Sequence, residues 1–177
     1  MKKIICSLIV FLILSFSTAW AGVTTWEITR NDLPEWHPYY LSEDMYQTLE
    51  DILYSRFFSS EEALARGIFN WIRDNIDYGD CGAEESARRV FEGRKGNCVG
   101  QSRLFIALAR AVGLEAKFIR VSVDCYGEEV QHACALVNID GEERLIDPAY
   151  QTFGANHQEW KVSSDRPSRL LAALARR

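Results

Sequence analysis

Cys98, His132 and Asp147 are the side chains whose types and order could carry covalent chemistry at a carbonyl. Cys98 follows Gly96-Asn97 and opens an apolar stretch. If a helix begins there, its unpaired N–H groups and the positive end of its dipole face the sulfur. That setting favours the thiolate and can bring a cysteine pKa from ~8.5 into the ~3.5–7.5 range. The same N–H groups could hold an oxyanion during acyl transfer, and Gly96 leaves room for a substrate backbone. His132, between Gln131 and Ala133, could take the thiol proton and later protonate a leaving group. Asp147, before Pro148, could hold the other imidazole nitrogen and fix its tautomer.

The elements that must position these residues follow from periodicity and punctuation. Val23 to Tyr40 has no clean period and contains Pro34 and Pro38, so it reads as an extended arm. A helix is expected from Ser42, with Met45, Leu49, Ile52, Leu53 and Phe57 on its apolar face. Ser59 and Glu62 stand in capping-box spacing before a second helix, whose face is Leu64, Ile68, Trp71 and Ile72 with Phe69, ending near Asn75. Tyr78 to Gly82 reads as a loop and Ala83 to Phe91 as a short helix, broken by Gly93 to Gly96. The helix that Cys98 opens should run to Val112, with Gly113 as its stop. The period then becomes strand-like. Lys117–Cys125 and Val130–Ile139 should pair about a turn at Tyr126-Gly127. Asp140-Gly141 should turn the chain into a third strand, Arg144–Ile146, which delivers Asp147. Helices followed by an antiparallel sheet define an α+β fold.

The flanks bind the three residues into a pattern. Gly96-Asn97-Cys98-Val99-Gly100-Gln101-Ser102 leads into Leu104 to Ala116, followed by His132-Ala133-Cys134-Ala135-Leu136-Val137 and Leu145-Ile146-Asp147-Pro148. This resembles the transglutaminase-like superfamily, in which a Gly-x-Cys motif opens a helix and His-Ala and Asp-Pro strands follow. Ile76-Asp77-Tyr78 resembles the family's stretch before the catalytic helix, and the similarity covers Leu64 to Tyr150. The resemblance implies a papain-like α+β core with the nucleophile at a helix N-terminus packed on an antiparallel sheet. It also implies Cys98 as nucleophile, His132 as base, Asp147 as orienter, and thioester chemistry on the amides of a peptide or protein, by hydrolysis or transfer. No cofactor and no metal are expected. Cys134 stands where many relatives have Trp, which puts a small oxidisable residue beside the site, able to pair with Cys98.

The remaining features bound the setting. Lys2 and Lys3, the apolar run from Ile4 to Phe16, and Ala19-Trp20-Ala21 have the form of a secretory signal cleaved near Ala21. The protein is therefore expected to be secreted or periplasmic, with cell-envelope peptides as plausible substrates by location. Cleavage removes two lysines and no acid, shifting the net charge from −5 to −7, a poor balance for nucleic acid. The expected organisation is a signal at 1–21, an arm and helix at 22–58, a transglutaminase-like domain at 59–165 and a basic helix or tail at 166–177. Cys81, Cys98, Cys125 and Cys134 remain after cleavage. A Cys81–Cys125 disulfide with Cys98 free is expected. The alternative is an exported binding module with its cysteines in disulfides. Zinc ligation by Cys98, His132, Cys134 and Asp147 lacks a Cys-x-x-Cys spacing. Gln101 reads as a solvated helix position, and His37 and His157 receive no role.

Overall fold

The computed structural model of the protein describes residues 26–80 and 85–163. The segment expected to be a signal sequence, Cys81 and the expected basic C-terminal helix or tail lie outside them. Among the described residues there are four helices and seven strands: α1 Glu43–Ser55, α2 Glu61–Asn75, β1 Asp77–Tyr78, α3 Ala87–Gly93, β2 Lys95–Gly96, α4 Cys98–Ala111, β3 Ala116–Val123, β4 Glu129–Ile139, β5 Glu142–Asp147, β6 Thr152–Phe153 and β7 Glu159–Val162. The fold is α+β, as the change of period predicts.

Helices α2, α3 and α4 start where short polar side chains replace the missing backbone acceptors. Ser60, rather than Ser59, caps α2 by accepting from the Ala63 N–H. Ser86 caps α3, which begins later than expected. Asn97 caps α4 by accepting from the Gly100 N–H at 3.0 Å. Gly113, at φ +87°, ends that helix in the left-handed conformation a side chain resists. Met45, Leu49 and Ile52 bury the inner face of α1, whereas Phe57 lies past the helix end and is exposed.

Helix α4 is buried almost all round, wider than the stripe read from its spacing, because α2 and α3 pack on it as well as β3 and β4. Leu104, Phe105, Ile106 and Leu108 are fully enclosed, and each contributes about 1.5–3 kcal/mol by burial. The main sheet has the order β6-β5-β4-β3-β7 with antiparallel neighbours. Ala133, Ala135 and Val137 of β4 face the core that α4 fills. Cys134 and Leu136 face the other way, into a small apolar cluster with Ile119, Val121 and Leu145. Asp140 and Gly141 both have positive φ, and their turn joins β4 to β5.

Two pairings were not legible beforehand. β1 and β2 form a short parallel pair, Asp77 with Lys95 and Tyr78 with Gly96, where a loop was expected. Strand β7 crosses from the β6 edge to the far edge and pairs with β3. Its four residues are all exposed, so no apolar alternation announces it.

Candidate active site

Cys98 is the first residue of α4. The Asn97 side chain takes the Gly100 N–H and its carbonyl takes the Gln101 N–H. The Cys98 and Val99 N–H groups, at the first two helical positions, have no acceptor within the helix. Two side chains hold this turn. Ser102 Oγ lies 2.6 Å from the Cys98 carbonyl and 3.1 Å from the Ala133 carbonyl, sharing its proton between helix and sheet. Asn97 Nδ2 also donates to Glu85.

Gln101 is buried and does not meet solvent as expected. Its amide donates to the Gly96 carbonyl at 3.0 Å and the Asp77 carbonyl at 3.3 Å, tying the β1–β2 pair to the start of α4. Gly96 is also explained differently. A Cβ there would stand 2.8 Å from Val90 Cγ1, so the glycine admits the Val90 side chain rather than a substrate.

His132 lies near the start of β4 and Asp147 ends β5; both are buried. The register places Val121 opposite His132, so His132 lies on the Cys134 face of the sheet. Asp147, one residue beyond Ile146, falls on that face too. The Asp147 Oδ2 accepts from His132 Nε2 at 2.6 Å, leaving Nδ1 as the nitrogen free for a thiol. Cys98 lies near enough to His132 to favour its charged form. All three residues singled out from the sequence therefore come together, at the end of the sheet past the last β4–β5 pair, Ala135 with Ile146.

Burial opposes a charge on His132, yet the hydrogen bond to Asp147 and the attraction of Asp147 and Cys98 outweigh it. The imidazole is raised from 6.5 to about 9. Tyr150 stacks on its ring, with centroids 4.4 Å apart. The Tyr150 N–H donates to Asp147 Oδ1 at 3.0 Å, and its hydroxyl donates to Asp124 Oδ2 at 3.2 Å. Burial, then the bond to Asp124, push that phenol up to about 12. Burial opposes the charge on Asp124 as well. The N–H groups of Glu128 and Tyr126 and the Tyr150 hydroxyl nonetheless hold it below the ordinary carboxylate range. On the open side, Tyr78 is 65% exposed. Partial burial, then the charges of Cys98 and Asp147, raise its phenol.

Sequence reasoning missed His157. It is buried, and its Nε2 donates to Asp147 Oδ2 at 2.9 Å. Its neighbours Asn156 and Gln158 give no local pattern, and only the β6–β7 crossover brings it there. The ligand atoms of His132, Asp147 and His157 lie within 4.8 Å of one another, a spacing that could hold a metal ion. The two N–H bonds to one oxygen account for that closeness without one. His37 Nδ1 accepts from the Tyr39 N–H in the arm, away from the site.

Cys98, Cys125 and Cys134 are free thiols. Cys125 therefore carries no disulfide, and the Cys81 half of the expected pair lies outside the described residues. Cys134 is fully buried. Burial first, then the charges of Asp147 and Cys98, drive its thiol far above the ordinary range, so it stays protonated.

The fold is that of a thiol-enzyme family. The family model of the transglutaminase-like superfamily matches residues 55–143, half of the chain, and the chain belongs to that superfamily. The matched stretch contains Cys98 and His132 and stops before Asp147. Among solved structures, the chain is similar to one named a "putative cysteine protease" from Cytophaga hutchinsonii, with 18% identity and a TM-score of 0.53, over 75% of this chain and 56% of that one. A structure named a TGase aligns with 22% identity and a TM-score of 0.45, over 67% of this chain and 36% of that one. The chain thus spans little more than half the first and about a third of the second. No curated protein matches it.

Proposed function

We propose that the protein is an exported thiol enzyme acting on amide bonds of peptides or proteins, with Cys98 as nucleophile, His132 as base and Asp147 as orienter. The observation that carries this reading is Cys98 at a helix N-terminus beside His132, whose Nε2 is hydrogen-bonded to Asp147. The Cys98 thiolate attacks the amide carbon while His132 holds the proton. The oxyanion that forms lies within reach of the free N–H groups of the first turn. Collapse expels the amine, which takes the proton from His132 Nδ1 and leaves a thioester on Cys98. Water, or an amine in the transfer mode, then attacks the thioester with His132 accepting its proton, and the thiol is regenerated. Exposed Tyr78 offers an aromatic surface beside the sulfur for the substrate chain.

The signal-like start, Lys2-Lys3 with the apolar run to Phe16 and Ala19-Trp20-Ala21, supports export to a secreted or periplasmic location. Location in turn favours cell-envelope peptides as substrates. Free thiols at Cys98, Cys125 and Cys134 count against the binding module held by disulfides.

The test is turnover of a panel of glutamine-containing and peptidoglycan-derived peptides by wild type and Cys98→Ala. Acid-quenched mass spectrometry of wild type should trap an acyl adduct on Cys98. Full activity in Cys98→Ala would overturn the reading. So would an adduct on any other residue.

A further inference from the structure

We propose that His157 is a positioning residue for the Asp147–His132 pair, because its Nε2 donates to the same Asp147 oxygen that accepts from His132. The inference rests on the function proposed above and deepens it. His157 sits on the crossover between β6 and β7, which is fixed at both ends. The Gly154 and Ala155 N–H groups donate to the Leu145 carbonyl at 2.9 Å on one side, and the Gln158 N–H donates to the Val123 carbonyl at 3.1 Å on the other. Held between strands β5 and β3, the imidazole meets the rings of His132 and Tyr150 edge-on at 5.5 and 5.7 Å.

The hydrogen bonds define the tautomer. Oδ2 is an acceptor, so the His157 proton sits on Nε2. The other nitrogen, Nδ1, is buried with no partner. A residue that only filled this space would not carry a buried polar atom without a partner, since such an atom is costly. The group that repays its presence is the Nε2 donor. With it, Asp147 accepts three N–H groups: His132 and His157 on Oδ2, and the Tyr150 backbone on Oδ1. The carboxylate cannot rotate without breaking one of them. The shared oxygen also has less charge to offer His132, so His157 restrains the basicity that Asp147 confers.

Removal of the donor should then do two things. The carboxylate loses its fixed orientation, which slows the reaction of Cys98. His132 becomes more basic, which moves the alkaline limit of the thiolate–imidazolium pair upward. The other ionisable groups facing this cluster are Cys98 from α4, Tyr78 from β1, Cys134 from β4, Asp124 from the β3–β4 turn, and Tyr150. All are unchanged by the substitutions below.

The experiment is the pH profile of Cys98 alkylation by iodoacetamide, read by peptide mass spectrometry on wild type, His157→Phe and His157→Gln. Cys125 in the same molecules is the internal reference. In His157→Phe the rate at pH 7 should fall about tenfold and the alkaline limit should rise by about one unit, the scale of one hydrogen bond to a charged group. His157→Gln, which keeps an N–H donor at similar reach, should return both toward wild type. If His157→Phe does not fold, His157→Asn, too short to reach Oδ2, takes its place in the comparison. Nitrogen NMR of wild type should find the proton of neutral His157 on Nε2. A His157→Phe profile that superimposes on wild type, a His157→Gln profile that matches His157→Phe, or a proton on Nδ1 would each overturn the assignment while leaving the proposed function intact. Wild-type Cys98 reacting no faster than Cys125 would overturn both.

Discussion

Asp147→Asn tests the polar chain at the point where most of it converges. Asp147 accepts from His132 Nε2 at 2.6 Å, His157 Nε2 at 2.9 Å and the Tyr150 N–H at 3.0 Å. An asparagine has one acceptor oxygen and one donor amide. If the oxygen stays with Tyr150, the amide faces two ring nitrogens and both imidazoles must move their protons to Nδ1. His132 then points a proton at Cys98 and has no lone pair to receive the thiol's. His157 buries an N–H that has no acceptor. If the amide flips, its NH₂ meets the Tyr150 N–H instead. No rotamer satisfies all three donors. The His132 shift, from 6.5 to about 9, converts to an upper bound of roughly 3 kcal/mol shared by Asp147 and Cys98, less what solvent screens on the thiol side. The wrong tautomer should lower kcat by on the order of 10³–10⁴, as loss of an orienting carboxylate does in a triad. Loss of the charged acceptor that both imidazoles share should cost about 1–3 kcal/mol of stability. Peptide turnover and urea unfolding at pH 7, measured on one preparation, read both numbers. Turnover within tenfold of wild type would refute the tautomer argument, and an unchanged unfolding midpoint would refute the shared-acceptor argument.

Three other outcomes follow from the same geometry. Because the folded-state pKa of His132 is raised from 6.5 to about 9, its contribution to stability is fully present below about 6.5 and lost as pH rises through about 9. The melting temperature should therefore fall between pH 7 and 10 in wild type, and this part of the fall should be missing from His132→Asn. Limited alkylation near pH 6 should label Cys98 ahead of exposed Cys125 and leave Cys134 untouched until the protein unfolds; equal labelling of all three would contradict the activation of Cys98. Gly96→Ala drives a Cβ to 2.8 Å from Val90 Cγ1, two residues before Cys98. It should cost about 1–3 kcal/mol and lower turnover, whereas wild-type stability and kinetics in that variant would show that the Val90 contact yields freely.

What the sequence determined is local. Asn97 caps α4 and Gly113 ends it because a side-chain acceptor and a positive φ are needed within a turn of each end. The Asp140-Gly141 hairpin and the alternation of β3 and β4 were legible for the same reason, and with them the places of Cys98, His132 and Asp147 on a helix start and two strand ends. The tertiary structure decided whatever depends on segments far apart in the chain. Gln101 looked solvated because helical spacing does not reveal that β1 and β2 lie over it with two carbonyls to satisfy. Gly96 looked like an opening for substrate until Val90 of α3 filled the space. His157 looked like an ordinary loop histidine, because only the passage of the chain from β6 across the sheet to β7 brings it onto Asp147. A buried carboxylate needs several donors. Sequence names the carboxylate, and only the folded chain can say which distant N–H groups reach it.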